Sequence, residues 1–193
     1  MRLSRLLHEG TWTTPPVSAV VVEEELHVAA AEGSDAWRHT SYGFVHDTEH
    51  ALLEPLPASG ALEVDLVLDF AEQFDQAGLF LRVSPEEWVK AGVEVSDGVA
   101  QLGAVVTHGT SDWSVAPVPE WVGRRVTVRA SRSGDAVTVR ARVDGEAFRL
   151  VRVAHLDPGA VVTAGLFCAA PTRTGLTVRF TGYRRTDADA ALH

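Results

Sequence analysis

Alternation of apolar and polar residues with a period of two recurs along most of the chain. Between residues 61 and 70, Leu62, Val64, Leu66, Leu68 and Phe70 fall on one side and Glu63, Asp65 and Asp69 on the other, the pattern of a half-buried strand. Similar runs occupy 17–22, 26–31, 126–130, 137–143, 148–153, 161–168 and 176–183. They are separated by turn formers such as Glu23-Glu24-Glu25, Ser133-Gly134-Asp135 and Asp144-Gly145. No stretch has the period and caps of a helix of ordinary length; Leu3, Leu6 and Leu7 make one amphipathic fragment, too short to be stable alone. Many short strands spaced by turns predict an all-β fold, a two-sheet antiparallel sandwich or jelly roll. The expected organisation is an N-terminal tail over 1–10 that docks on the sandwich, a single sandwich domain over 11–186 and a C-terminal tail over 187–193.

Three consecutive strands at the centre, 76–82, 88–95 and 101–107, fix their own register. Burying Ala77, Leu79 and Leu81 beside Val89, Ala91 and Val93 forces Gln76, Lys90 and Glu94 onto the opposite face. One register sets Gln76 opposite Glu94, Gly78 opposite Gly92, Phe80 opposite Lys90 and Arg82 opposite Trp88. A two-residue type I′ turn at Asp97-Gly98 then sets Glu94 opposite Gln101 and Gly92 opposite Gly103. Three glycines therefore line up across three strands. Glycine inside a strand marks close approach by a ligand or another backbone, so the row reads either as a trough beside Gln76, Glu94 and Gln101 or as a seat for a flat tryptophan, Trp37 or Trp113. Lys90 and Glu94 lie roughly 13 Å apart at Cα; a structural ion pair is their default role, and convergence on one ligand is the alternative.

Charge narrows the partners. The 193 residues carry a formal net charge of −9 and a pI near 5.3, which opposes binding to nucleic acid or to anionic membranes. No apolar run approaches the ~20 residues of a membrane helix, and residues 1–10 lack the apolar core of a signal peptide. The single cysteine, Cys168, forms no intrachain disulfide and reads as a small buried apolar group. A cytoplasmic setting is expected. Eight arginines between Arg124 and Arg152 oppose the valines of their strands and read as a solvated sheet face, with a binding patch as the alternative.

The segments Trp37-Arg-His-Thr-Ser-Tyr-Gly-Phe, Asp75-Gln-Ala-Gly-Leu, Trp88-Val-Lys-Ala-Gly-Val-Glu, Asp97-Gly, Val105-Val-Thr and Ser111-Asp-Trp-Ser together resemble the "regulation of enolase" protein family of the concanavalin A-like lectin and glucanase superfamily. The resemblance runs from about Trp12 to Tyr183. It implies a jelly-roll sandwich with ligands on the concave sheet face, and it implies no settled activity. The motif positions it marks are Trp37, Arg38, Tyr42, Gln76, Lys90, Glu94, Asp112, Trp113 and Ser114.

The side chains admit three functions. Carbohydrate binding needs aromatic platforms and planar polar groups around a groove, which Trp37, Arg38, Tyr42, Gln76, Lys90, Glu94, Gln101 and Trp113 supply. Glycoside chemistry needs two carboxyl groups roughly 5 to 10 Å apart; Glu94 is the first candidate, used with Lys90 or Asp112, and Asp75 is a further possible second acid. Glu63 and Asp65 read as solvated surface. A regulatory module would meet a protein partner through the arginine face. His46 and His50, with Asp47 and Glu49, have a spacing that binds metal well on a helix, but the Tyr42-Gly43-Phe44 before them does not suggest one, so a zinc site is not expected. No calcium loop, P-loop, dinucleotide fingerprint or nucleophile elbow is present, so neither metal nor cofactor is expected.

Overall fold

In the computed structural model, which describes residues 2–192, the alternating runs form two seven-stranded antiparallel sheets. The first runs β1 (Thr11–Trp12), β6 (His50–Leu56), β15 (Val162–Ala169), β8 (Gln76–Ser84), β9 (Glu87–Ser96), β10 (Val99–His108) and β11 (Thr110–Pro117). The second runs β14 (Arg149–His155), β13 (Ala136–Val143), β12 (Arg125–Ser133), β7 (Gly60–Val67), β16 (Thr177–Thr186), β3 (Glu25–Ala29) and β2 (Ser18–Val22). The remaining strands, β4 (Ala36–Arg38) and β5 (Val45–Asp47), pair with each other as a flap.

Strand alternation builds the core between the sheets. Leu62, Val64 and Leu66 of β7 meet Leu79 and Leu81 of β8 and Val89 and Val93 of β9 in one continuous cluster. Each such side chain contributes about 1.5–3 kcal/mol by leaving water. The result is a two-sheet jelly-roll sandwich, as the alternation and the resemblance both imply.

The central register is the one the sequence dictates: Gln76 faces Glu94, Gly78 faces Gly92, Phe80 faces Lys90 and Arg82 faces Trp88, while Gln101 and Gly103 face Glu94 and Gly92. At the β9–β10 turn Asp97 and Gly98 both take positive φ, 54° and 76°, as a type I′ turn requires. The glycine row is explained by backbone. A Cβ on Gly78 or Gly92 would strike the carbonyl of Ala91 or Ala77 across the pair, and one on Gly103 would strike that of Ser114. The approach that excludes a side chain is thus that of strand to strand.

The β2–β3 turn is made by Glu23 and Glu24, with φ of 49° and 73°. These angles cost little for Asn or Gly and more for glutamate. The double substitution Glu23→Asn and Glu24→Gly is expected to stabilise the protein by about 1 kcal/mol, or roughly 2–4 °C in Tm for a chain of this size; an unchanged or lower Tm in calorimetry contradicts this account of the turn.

Both chain ends are tied down. Arg2–Glu9 forms an eight-residue helix, α1, which the period-two reading omitted. Its Leu3 and Leu6 are buried in the main core, so tertiary packing supplies the stability that eight residues lack alone. At the other end Asp189 is gripped by the guanidinium groups of Arg129 and Arg140, and its N–H donates to Ser131 Oγ.

The charged face of the second sheet differs from expectation. Glu63 and Asp65 are buried beneath Arg184 and Arg129, and Arg129 and Arg132 are themselves buried. Arg132 spends its donors on the carbonyls of Leu56, Pro158 and Ala160. Paired charge hides in an alternating pattern because Glu, Asp and Arg occupy the same positions as solvated polar residues. Burial alone would raise the Asp65 carboxyl; the Arg184 guanidinium and the Thr127 hydroxyl outweigh that and hold it below the ordinary range. Such a depressed group stabilises the fold at neutral pH and loses that contribution as pH falls through its folded value. Asp65→Asn is expected to cost about 2 kcal/mol in denaturant unfolding at pH 7 and close to nothing at pH 2; an equal loss at both values rules out the ion pair as the cause.

Candidate functional site

Much of the outer face of the first sheet is covered. Trp37 and Ala36 of the flap pack onto Phe80, Trp88, Val105 and Phe167 as a second small core, with Ala51, Leu53 and Trp113 beside them. The flap is pinned there by backbone and side chain alike. The Arg38 N–H donates to Ser111 Oγ at 2.9 Å, the Arg38 guanidinium reaches the Gly109 carbonyl and Glu86, and Trp37 Nε1 donates to the Thr40 carbonyl at 3.0 Å. His39, Ser41 and Gly43 at positive φ fold the tip back so that Tyr42 stacks on Phe44, with ring centroids 5.3 Å apart.

Between the flap and strands β8, β9 and β11 lies a cavity of about 270 Å³, lined by Trp37, Tyr42, Phe44, His46, Phe74 and Trp113 and by Asp35, Gln76, Lys90 and Glu94. The aromatic groups form a connected series. Trp37 meets Trp113 edge-on at 6.3 Å and Tyr42 at 5.7 Å, and Phe44 meets His46 at 4.5 Å. Pro171 and Thr172 close the rim, and their loop is held by Arg173 on the buried Asp75 and by Thr172 Oγ1 on the Gln73 carbonyl.

The polar residues form one ordered set. Lys90 Nζ donates to Gln76 Oε1 at 2.7 Å and to Asp35 Oδ1 at 3.2 Å; Gln76 Nε2 donates to the same Asp35 oxygen at 3.2 Å, and the Ala36 N–H does so at 2.8 Å. Glu94 stands apart. Among the described residues no hydrogen bond or ion pair holds its carboxyl, and burial raises it to about 7 while the Lys90 ammonium pulls it down and the Asp35 carboxylate pushes it up. It therefore stands near half-ionisation at neutral pH, able to donate or accept a proton.

Of the residues singled out from sequence, Trp37, Tyr42, Gln76, Lys90, Glu94 and Trp113 meet in this cavity. Three do not. Arg38 faces the β10–β11 turn and Glu86. Asp112 is exposed and paired with Arg152. Gln101 lines an adjoining depression of about 20 Å³ over Gly92 and Gly103, which shares Gln76, Lys90, Glu94 and Trp113 with the cavity. Lys90 is not the partner of Glu94, since Asp35 takes that place. Asp35 escaped the sequence reading because it precedes the flap in an irregular segment, where no period relates it to β8 and β9. His46 lines the cavity, whereas His50 is buried, its Nδ1 donating to the Thr14 carbonyl and its Nε2 accepting from the Ala31 N–H. Burial lowers its pKa, and the bond to the Thr14 carbonyl offsets part of that shift. Cys168 is wholly buried, and burial pushes its thiol up.

Two packed antiparallel sheets with a ligand-sized cavity on one outer face define a jelly-roll sandwich of the concanavalin A-like kind. The chain belongs to the family described as protein of unknown function (DUF1349), which matches residues 12–188. It is 32% identical over 188 residues to "Regulation of enolase protein 1" of Saccharomyces cerevisiae, covering 97% of this chain and 94% of that protein. A crystal structure described as a functionally unknown protein from Saccharomyces cerevisiae superposes with a TM-score of 0.88 at 30% identity, covering 95% of this chain and 99% of that one. The carbohydrate-binding module CBM66 from Bacillus subtilis shares the fold at a TM-score of 0.57 and 14% identity, over 91% of this chain and 94% of that one. No helix among the described residues is long and apolar enough to cross a membrane.

Proposed function

We propose that the protein binds a small carbohydrate or sugar-like polar metabolite in the cavity beneath the flap. One observation carries the reading: aromatic and hydrogen-bonding residues, Trp37, Tyr42 and Trp113 with Gln76, Lys90 and Glu94, line a single cavity of about 270 Å³. That space lies near the lower end of small-molecule pockets, roughly 300–1,000 Å³, which suits a ligand the size of one sugar ring. A sugar presents apolar C–H faces to aromatic rings and hydroxyls to planar polar groups. The shared fold of a carbohydrate-binding module supports the reading by analogy alone.

The test is a saccharide panel followed by calorimetry and by tryptophan fluorescence, since Trp37 and Trp113 border the space. Heat and a fluorescence change are expected from at least one monosaccharide, both weakened at least tenfold in Trp113→Ala. Silence across neutral, acidic and amino sugars ends the proposal.

A second reading is favoured by Glu94, a cavity carboxyl with a pKa near 7, which suits a general acid in glycoside chemistry. Its companion carboxyl would be Asp35, not Asp112. Hydrolysis of chromogenic glycosides by the wild type and its loss with retained binding in Glu94→Gln would favour the enzyme; binding without turnover in either form favours the binding protein.

A further inference from the structure

Charge in the cavity is unevenly matched. The Lys90 ammonium is already engaged by Asp35 and Gln76, so the Asp35–Lys90 pair is neutral as a unit. Glu94 is the carboxyl left over, and no group among the described residues bonds it. Glu94 is half-buried, so its carboxyl borders the cavity with no protein partner; a ligand seated there can supply one. Trp37, Tyr42, Phe74 and Trp113 line the same cavity, and aromatic rings attract cations.

We propose that the ligand carries a protonated amino group, seated between Glu94 and the aromatic rings, on the sugar-like body inferred above; an amino sugar is the simplest such molecule. The proposal rests on the carbohydrate reading and adds to it the ligand's charge. An ammonium donates charge-assisted hydrogen bonds to a carboxylate and gains from the rings at once. An anionic ligand would meet Asp35 and Glu94 with only an ammonium that is already committed. A neutral sugar would leave Glu94 without a counter-charge.

The other titratable groups of the cavity lining are Lys90 on the same strand, Asp35 before the flap and His46 on β5. On the adjoining strands the register partners of Glu94 are Gln76 and Gln101, which do not titrate. An ammonium seated against Glu94 therefore favours its ionised form, and no other base on the sheet competes for that proton.

Calorimetry at pH 7.0 with D-glucosamine, D-glucose, N-acetyl-D-glucosamine and the non-sugar amine ethanolamine tests this. Glucosamine is expected to bind at least tenfold tighter than glucose and than its N-acetyl form, which keeps the ring and loses the charge. In Glu94→Gln the ratio is expected to fall below about threefold. Glucose binding as tightly as glucosamine overturns the amino-group proposal and leaves the carbohydrate reading standing. Ethanolamine binding while no sugar does overturns the carbohydrate reading and leaves the amino group. A ratio unchanged in Glu94→Gln shows that Glu94 is not the recognising group, and silence from all four probes overturns the proposal.

Discussion

Gly92→Ala is expected to be the most damaging small substitution in the protein, lowering stability by at least about 3 kcal/mol and leaving little soluble native chain. A methyl group elsewhere in a strand points away from the sheet, but here it would enter the backbone of β8, closer to the Ala77 carbonyl and the Gly78 Cα than the 3.0 Å that real Cβ atoms respect. Backbone atoms cannot rotate aside as a side chain can, so the strands must separate. Ladder hydrogen bonds are then lost on both sides of the position, since β9 lies between β8 and β10. Large losses of this kind belong to a short list of mechanisms, among them backbone strain at a position that tolerates no side chain. Gly78→Ala is expected to match it, because the two glycines face each other. Circular dichroism with urea denaturation checks both; a loss below about 1 kcal/mol in either shows that the strands yield, and withdraws the backbone explanation of the row.

Glu94→Gln is expected to stabilise the protein, and only above acidic pH. The carboxyl is raised to about 7 by burial, against roughly 4.3 in an unfolded chain. At pH 4 it is mostly protonated in both states and costs little. As pH rises through this window the unfolded chain ionises freely, while the folded one must either hold the proton or bury a charge, so wild-type stability falls and levels off above the folded value. Glutamine has the same shape and no charge. The gain at pH 8 is expected to reach no more than about 4 kcal/mol, roughly 8–16 °C in Tm, and to be close to nothing at pH 4. Melting curves of both proteins from pH 4 to pH 8 give the answer, and curves that run parallel throughout would show that Glu94 is solvated. The same substitution removes the recognising group, so stability and binding are expected to move in opposite directions.

Much of the sandwich and part of the site were legible in the sequence, for a reason visible at particular residues. The period-two pattern of Ala77, Leu79, Leu81, Val89, Ala91 and Val93 fixes which way every neighbour points, and with Asp97-Gly98 it fixes register as well. Gln76, Lys90 and Glu94 could be placed together on that basis alone. Trp37, Tyr42 and Trp113 came from the family resemblance and from their being aromatic, since nothing in their spacing shows that a flap folds over the sheet. Asp35 had neither signal. The Glu63, Asp65, Arg129 and Arg184 network was misread because alternation reports that a face is polar and is silent on what covers it; here a second charged strand and the Asp189 segment do so.

The glycine row also bears on how relatives of this protein can diverge. Positions 78, 92 and 103 admit no side chain, so the sheet beneath the cavity cannot be reshaped one residue at a time. The tip of the flap is under no such restraint: Tyr42 and Phe44 are exposed and border the cavity from outside the sandwich. Change in what is recognised therefore has its cheapest route through residues 39–46. Two members of the family with different ligands are expected to share the glycines and differ at that tip.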